Sequence, residues 1–133
     1  MLDIGPVVAF SLPADEYHLA ARAHFRTPAL RLFTTATIVG EIYTFLRRRA
    51  GHHSARAVVR NLQASPVVSI DEVDDAFDAE IWRVIDEYAG VPLSYPDASL
   101  VVLGRRLRIT TAFSFDSDLA AAGLRLVPES AGR

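Results

Sequence analysis

Short runs rich in β-branched residues alternate with longer segments of helical periodicity along the chain, and this alternation restricts the fold more than any other feature. Strands are expected at Met1–Ile4, Leu30–Thr34, Pro66–Ile70, Arg108–Phe113 and Leu124–Val127. Between them, helices are expected at Ala14–Phe25, Thr37–Arg49, Ser54–Ala64, Glu72–Tyr88 and Ser94–Arg106. Gly5-Pro6 reads as the end of the first strand. Gly51 stops the second helical segment, Thr37–Arg49, and the arginines of its last turn suit the helix dipole. Glu72–Tyr88 carries Val73, Phe77, Ile81, Val84 and Ile85 on one side and acids on the other, as a helix packed on a core requires. Strands separated by helices need crossover connections. They therefore predict an α/β fold with a largely parallel sheet. With 133 residues and half of them hydrophobic, one domain over 1–133 can bury a real core.

In such a sheet, functional sites form beyond the carboxyl ends of the strands. Four acids stand beside apolar segments: Asp3 in LDIGP and Asp116 in FSFDSDL at or just past strand ends, Asp97 in LSYPDASLVV at a helix start, and Glu41 in IVGEIYTF within a helix. Each has an ordinary structural reading. Asp3 can be a turn residue before Gly-Pro. Glu41 can edge an apolar stripe. Asp97 can complete a capping box with Ser94, and Asp116 can cap a helix. Read jointly they suggest a shared cation site, because clustered carboxylates resist full ionisation unless a cation compensates them. The chain has no cysteine. That removes disulfides and thiolate metal sites and leaves an oxygen donor set suited to Mg²⁺ or Mn²⁺.

All 14 basic residues are arginine. Without a lysine the chain cannot build a P-loop. Nor can it build the lysine-assisted phosphoryl sites that receiver domains and aspartyl phosphatases use. The net charge of −2 argues against indiscriminate nucleic-acid binding, so any grip on a polyanion must come from local groups. Arg47, Arg48 and Arg49 form one such cluster and Arg105, Arg106 and Arg108 the other. His52-His53 reads as part of a hairpin connection, Trp82 as a packing residue, and Asp71, Glu72, Asp74, Asp75 and Asp78 as a solvated face. No apolar run approaches the roughly 20 residues of a membrane span, and no signal peptide is evident. A cytoplasmic protein is the simplest expectation.

The segments LDIGPVVAFS, TTATIVGEIYTFLRRRAGH, PLSYPDASLVVLGRRL and TTAFSFDSDLAAAGLRLVP together resemble the PIN domain nucleases, and among them the bacterial VapC-type toxins. The last two are the most specific. They place Ser-aromatic-x-Asp-Ala at a helix start and Phe-Asp-x-Asp-Leu about twenty residues later. The resemblance implies a three-layer α/β/α sandwich with a central, mainly parallel sheet, and a Mg²⁺- or Mn²⁺-dependent endoribonuclease, the toxin of a type II toxin–antitoxin pair. Asp3, Glu41, Asp97 and Asp116 would be its catalytic and metal-binding acids and Asp118 an accessory one. It also implies an RNA substrate, a VapB-like antitoxin that blocks the pocket, and a homodimer. The family usually has Thr or Ser after its first Asp, where this chain has Ile4, and only Met1 and Leu2 precede Asp3. Loss of the usual hydroxyl leaves a second expectation, a catalytically weakened or inactive PIN domain serving as a binding module in a protein complex.

Overall fold

The computed structural model describes residues 1–129; the last four residues of the expected 1–133 domain lie outside the described residues. Four short strands alternate with seven helices in that range. β1 (Leu32–Thr35) pairs in parallel with β2 (Val68–Asp71), and β3 (Thr111–Phe113) in parallel with β4 (Arg125–Val127). Met1–Asp3 joins the two pairs. Leu2 bridges Phe113 in parallel, the Leu2 amide donates to Phe33 O at 2.8 Å, and the Asp3 amide donates to Phe113 O at 3.1 Å. The Met1 ammonium donates to Thr111 O at 2.9 Å, and the Thr34 hydroxyl to Leu2 O at 2.8 Å. The segment before Asp3 is short, yet it is pinned from both sides at the middle of the sheet, with Leu2 fully buried. The helices complete the expected α/β/α sandwich around mainly parallel strands.

One helix departs from the expected elements, and a second answers the capping reading of Asp116. α1 (Ile4–Ser11) starts directly after Asp3, where Gly5-Pro6 reads as a breaker. Both residues lie in the first turn, whose N–H groups have no partner within the helix, so proline costs nothing there. Phe115, just before the fourth acid, packs against Gly5: a Cβ there would lie 3.6 Å from its ring. α7 (Ser117–Ala121) is a short helix capped by Asp116. α2 occupies only His18–Phe25, because Pro13–Tyr17 forms turns rather than the expected first helical turn.

The remaining helices fall close to expectation. α3 (Ala36–Ala50) and α4 (His52–Ala64) form the hairpin around Gly51. Gly51 has φ 89°, a conformation that suits glycine. His52 and His53 open α4 rather than lying in the connection, and His52 Nδ1 is 2.9 Å from the Tyr43 hydroxyl. α5 (Asp75–Glu87) buries Phe77, Ile81 and Val84 against α6 (Tyr95–Leu107). Trp82 is 52% exposed on α5, its ring 5.4 Å from that of Tyr95. Asp74 caps α5, and Asp78 accepts a 2.6 Å hydrogen bond from the Tyr95 hydroxyl, so these two acids of the expected solvated face have structural partners.

α6 is the central helix. It is buried continuously from Asp97 to Gly104, as its run Ala-Ser-Leu-Val-Val-Leu-Gly allows. Gly104 sits against the connection to β3: a Cβ there would lie 2.9 Å from Ile109 O, so any side chain would force the two apart. Tight seating of α6 fixes its first turn, and with it Asp97, relative to the strand ends.

Candidate metal centre

Three chain segments far apart in sequence deliver carboxylates to one point. Asp3 follows the central strand segment, Asp97 lies in the first turn of α6, and Asp116 follows β3. One oxygen from each lies within 4.8 Å of the others. Asp3 and Asp97 are buried and Asp116 is partly so. Among the described residues, no arginine, histidine or chain terminus forms an ion pair with any of the three.

The structural readings of these acids hold alongside that convergence. Asp3 caps α1, with its Oδ1 accepting from the Ile4 amide at 2.8 Å. Asp97 closes a capping box: its Oδ2 accepts from the Ser94 amide at 3.2 Å, and its own amide donates to Ser94 Oγ at 3.1 Å. Asp116 Oδ1 accepts from the Asp118 amide at 2.9 Å. Capping sets the rotamer of each side chain and leaves lone pairs of each carboxylate available. Helix N-termini also favour negative charge, so all three acids are partly compensated by the backbone.

Glu41 lies outside the group of three. It is half-buried on α3, close enough to Asp97 to feel its charge. Asp118 stands at the start of α7 and is likewise felt by Asp97. The five expected acids therefore form an inner set of Asp3, Asp97 and Asp116 with Glu41 and Asp118 at its margin.

The electrostatics are those of a site whose backbone contacts only partly offset its charge and to which no cationic side chain is paired among the described residues. Burial, more than any other cause, pushes the Asp3 carboxyl from the ordinary 3.8 up to about 6. Hydrogen bonds from Ser114 and the Ile4 amide pull it down, while Asp97 and Asp116 push it further up. Asp97 is raised chiefly by burial, with Asp116 and Asp118 adding repulsion. Glu41 is raised by burial and by Asp97. The folded state thus binds the Asp3 proton more tightly than the unfolded chain. That contribution to stability is complete below about pH 3.8 and is lost as the pH rises through about 6. In EDTA, the unfolding free energy of the wild type relative to Asp3→Asn is expected to fall between pH 5 and 7.5 by on the order of 1 kcal/mol. Urea denaturation at the two pH values measures this, and a pH-independent difference contradicts it.

Several residues that order the site carry no signal as isolated letters. Ser114 is buried at the end of β3; its hydroxyl donates to Asp3 Oδ2 at 2.6 Å and accepts from the Asp116 amide at 3.0 Å. It links the first and last acids and gives Asp3 the hydroxyl partner that Ile4 cannot. Thr35, Thr37 and Ser99 form a second hydroxyl cluster. Thr35 Oγ1 lies 2.8 Å from Ser99 Oγ and 2.9 Å from Thr37 Oγ1, and Ser99 donates to Pro96 O at 2.6 Å. This cluster ties the start of α3, which carries Glu41, to the start of α6, which carries Asp97. The pattern SFD in the chain places a hydroxyl two residues before the last acid, but only the sheet shows that it reaches Asp3.

The two arginine clusters lie apart from the acids. α6 runs back along the sheet and carries Arg105 and Arg106 about 12 Å along its axis from Asp97. There Arg105 pairs with Glu87 at 2.6 Å and Arg106 with Glu80 at 2.7 Å, with Arg106 also over the Phe77 ring at 4.4 Å. Arg108 is the left-handed cap of α6. Arg47, Arg48 and Arg49 lie exposed in the last turn of α3, about 9–12 Å along the helix from Glu41. Arg49 lies over Phe45 at 5.4 Å.

Set against known proteins, the PIN domain family model matches residues 3–124, a span that contains all five acids. The chain is 28% identical over 109 residues to the 23S rRNA-specific endonuclease VapC20 of Mycobacterium tuberculosis, in both strain CDC 1551 / Oshkosh and strain ATCC 25618 / H37Rv, covering 82% of each chain. It also superposes on the crystal structure of Mycobacterium tuberculosis VapC20, described as a Sarcin-Ricin loop cleaving toxin. The TM-score is 0.85 and the identity 26%, over 92% of this chain and 94% of that one.

Proposed function

The chain belongs to the PIN domain family, and from that premise we propose that it is a divalent-metal-dependent endoribonuclease, the toxin of a toxin–antitoxin pair. One observation carries the reading: the buried Asp3 and Asp97 and the partly buried Asp116 bring carboxylate oxygens within 4.8 Å of one another with no cationic side chain paired to them among the described residues. The residues suit a hard cation. The donors are all oxygen, and burial together with mutual repulsion holds Asp3 and Asp97 up in proton affinity, a cost that a cation relieves.

In this reading Asp3, Asp97 and Asp116 hold Mg²⁺ or Mn²⁺, with Glu41 and Asp118 at the margin. When bound, such an ion supplies Lewis-acid charge at a phosphoryl oxygen and activates water for attack on phosphorus. The chain's own residues do the rest. Ser114 holds the Asp3 carboxylate in one orientation. The capping box fixes Asp97. Glu41, half-buried and raised in proton affinity, would orient the attacking water and accept its proton. The relatives named for 23S rRNA cleavage support a structured ribosomal RNA as substrate. A VapB-like antitoxin, a homodimer and a cytoplasmic setting belong to the same proposal, as does a single PIN domain as the working unit. Among the described residues, no helix is long and apolar enough to cross a membrane.

The test is incubation of purified protein with ribosomal RNA in Mg²⁺ or Mn²⁺, with the new ends mapped. Discrete cleavage that EDTA abolishes is expected. Metal binding without cleavage would instead favour the binding-module reading, and neither binding nor cleavage would sink both.

A further inference from the structure

A groove of about 500 Å³ lies beside α1 and α2, lined by Phe10, His18, Arg22, Phe25 and Arg26. His18, Arg22 and Arg26 are spaced four residues apart, so they follow one face of α2. Arg22 and Arg26 are exposed and form no ion pair among the described residues, unlike Arg105 and Arg106 on α6. Phe10 remains 47% exposed, held edge-on against Phe25 with ring centroids 5.2 Å apart. His18 is fixed by a 2.8 Å hydrogen bond between its Nδ1 and Ala9 O.

The start of α2, the helix that carries the groove's arginines, neighbours the acid cluster. Tyr17, immediately before α2, stacks on Phe115 with ring centroids 4.3 Å apart, and Phe115 is the residue before Asp116. From there the basic face leads away down α2. Unpaired guanidinium groups one helical turn apart, about 6 Å along the axis, next to an exposed aromatic ring, are the elements by which proteins hold single-stranded nucleic acid. The cations take successive phosphates and the ring stacks a base.

We infer that this groove is an RNA subsite that holds single-stranded nucleotides flanking the scissile phosphate, with Arg22 and Arg26 on backbone phosphates and Phe10 against a base. The inference rests on the nuclease reading above. Charge complementarity favours RNA: the groove is lined by two arginines without an ion pair among the described residues and by no acid, on a helix whose start neighbours Asp116.

The test is fluorescence anisotropy of a labelled 12-nucleotide single-stranded RNA in EDTA, which blocks cleavage, between 50 and 200 mM salt. The proteins are the wild type, Arg22→Gln/Arg26→Gln and Phe10→Ala. For the arginine pair, binding about tenfold weaker is expected at the low-salt end, with a slope of log affinity against log salt shallower by about 1.4, or about 0.7 for each lost phosphate contact. Phe10→Ala should weaken binding about tenfold and leave the slope unchanged, since stacking releases no counterions. Wild-type affinity and slope in the arginine variant would overturn the subsite. So would a variant that keeps RNA binding but loses binding to poly-glutamate, which would assign the groove to an acidic protein partner. Cleavage in Mn²⁺ separates this outcome from failure of the nuclease reading. If the wild type cleaves and the arginine variant has the same KM, the subsite alone falls. If the wild type neither binds nor cleaves RNA, both fall.

Discussion

Asp97→Asn is expected to reduce RNA cleavage at least about a hundredfold while the protein stays folded. The reasoning separates the two jobs of this side chain. As a cap, Asp97 accepts from the Ser94 amide through one oxygen, and its own amide donates to Ser94 Oγ. Asparagine can present a carbonyl oxygen to the same amide, so the cap is kept. As a ligand, it supplies charge and oxygen lone pairs that an amide supplies poorly. Losing several kcal/mol of stabilisation of charge at the reacting phosphate corresponds to at least two decades in rate. Asp97 is also the buried acid whose charge raises both Asp3 and Glu41, and it is raised in turn by Asp116 and Asp118. Single-turnover cleavage in Mn²⁺ by the variant and the wild type, together with their circular dichroism, checks the expectation. Equal rates would remove Asp97 from the site.

A second large effect should appear without any RNA. Mn²⁺ at a hundred times its dissociation constant is expected to stabilise the wild type by about 2.7 kcal/mol, which for a chain of this size raises Tm by about 10 °C. The gain arises because the folded chain holds three carboxylates that repel one another, a cost the unfolded chain does not carry. Asp3→Asn and Asp116→Asn should each lose most of this gain. Asp3→Asn should also be the more stable protein in EDTA at neutral pH, since it no longer buries an uncompensated charge. Thermal melts of the three proteins with and without Mn²⁺ measure both effects. An equal rise in all three would place the metal elsewhere.

How far the site could be read from sequence depends on how local each constraint is. Asp116 stands out because capping chemistry and strand-end placement are both written within a few residues of it, and Asp97 because Ser94, three residues earlier, marks a capping box at a helix start. Asp3 was legible as an acid at a strand end, but the helix that follows it was not. Gly5-Pro6 is a breaker in most contexts, and only the freedom of a first helical turn makes it compatible with α1. Ser114 was out of reach, because its hydroxyl acts on a residue 111 positions away and only strand pairing brings them together. The departure at Ile4 therefore looked more damaging than the fold makes it. The arginines show the reverse case. Runs such as Arg47–Arg49 and Arg105–Arg106 draw attention, yet the second is tied to glutamates of α5 by helix packing that no local pattern announces. The spacing of His18, Arg22 and Arg26 was present in the sequence all along, but its meaning depends on what lies beside α2.

The account's central claim is that three acids distant in sequence hold one divalent cation. Calorimetric titration of Mn²⁺ into the wild type and Asp116→Asn at pH 7.5 tests it most directly. Saturable binding by the wild type, weakened at least about tenfold in the variant, is the predicted result. No binding by the wild type, or the same affinity in both proteins, would contradict it.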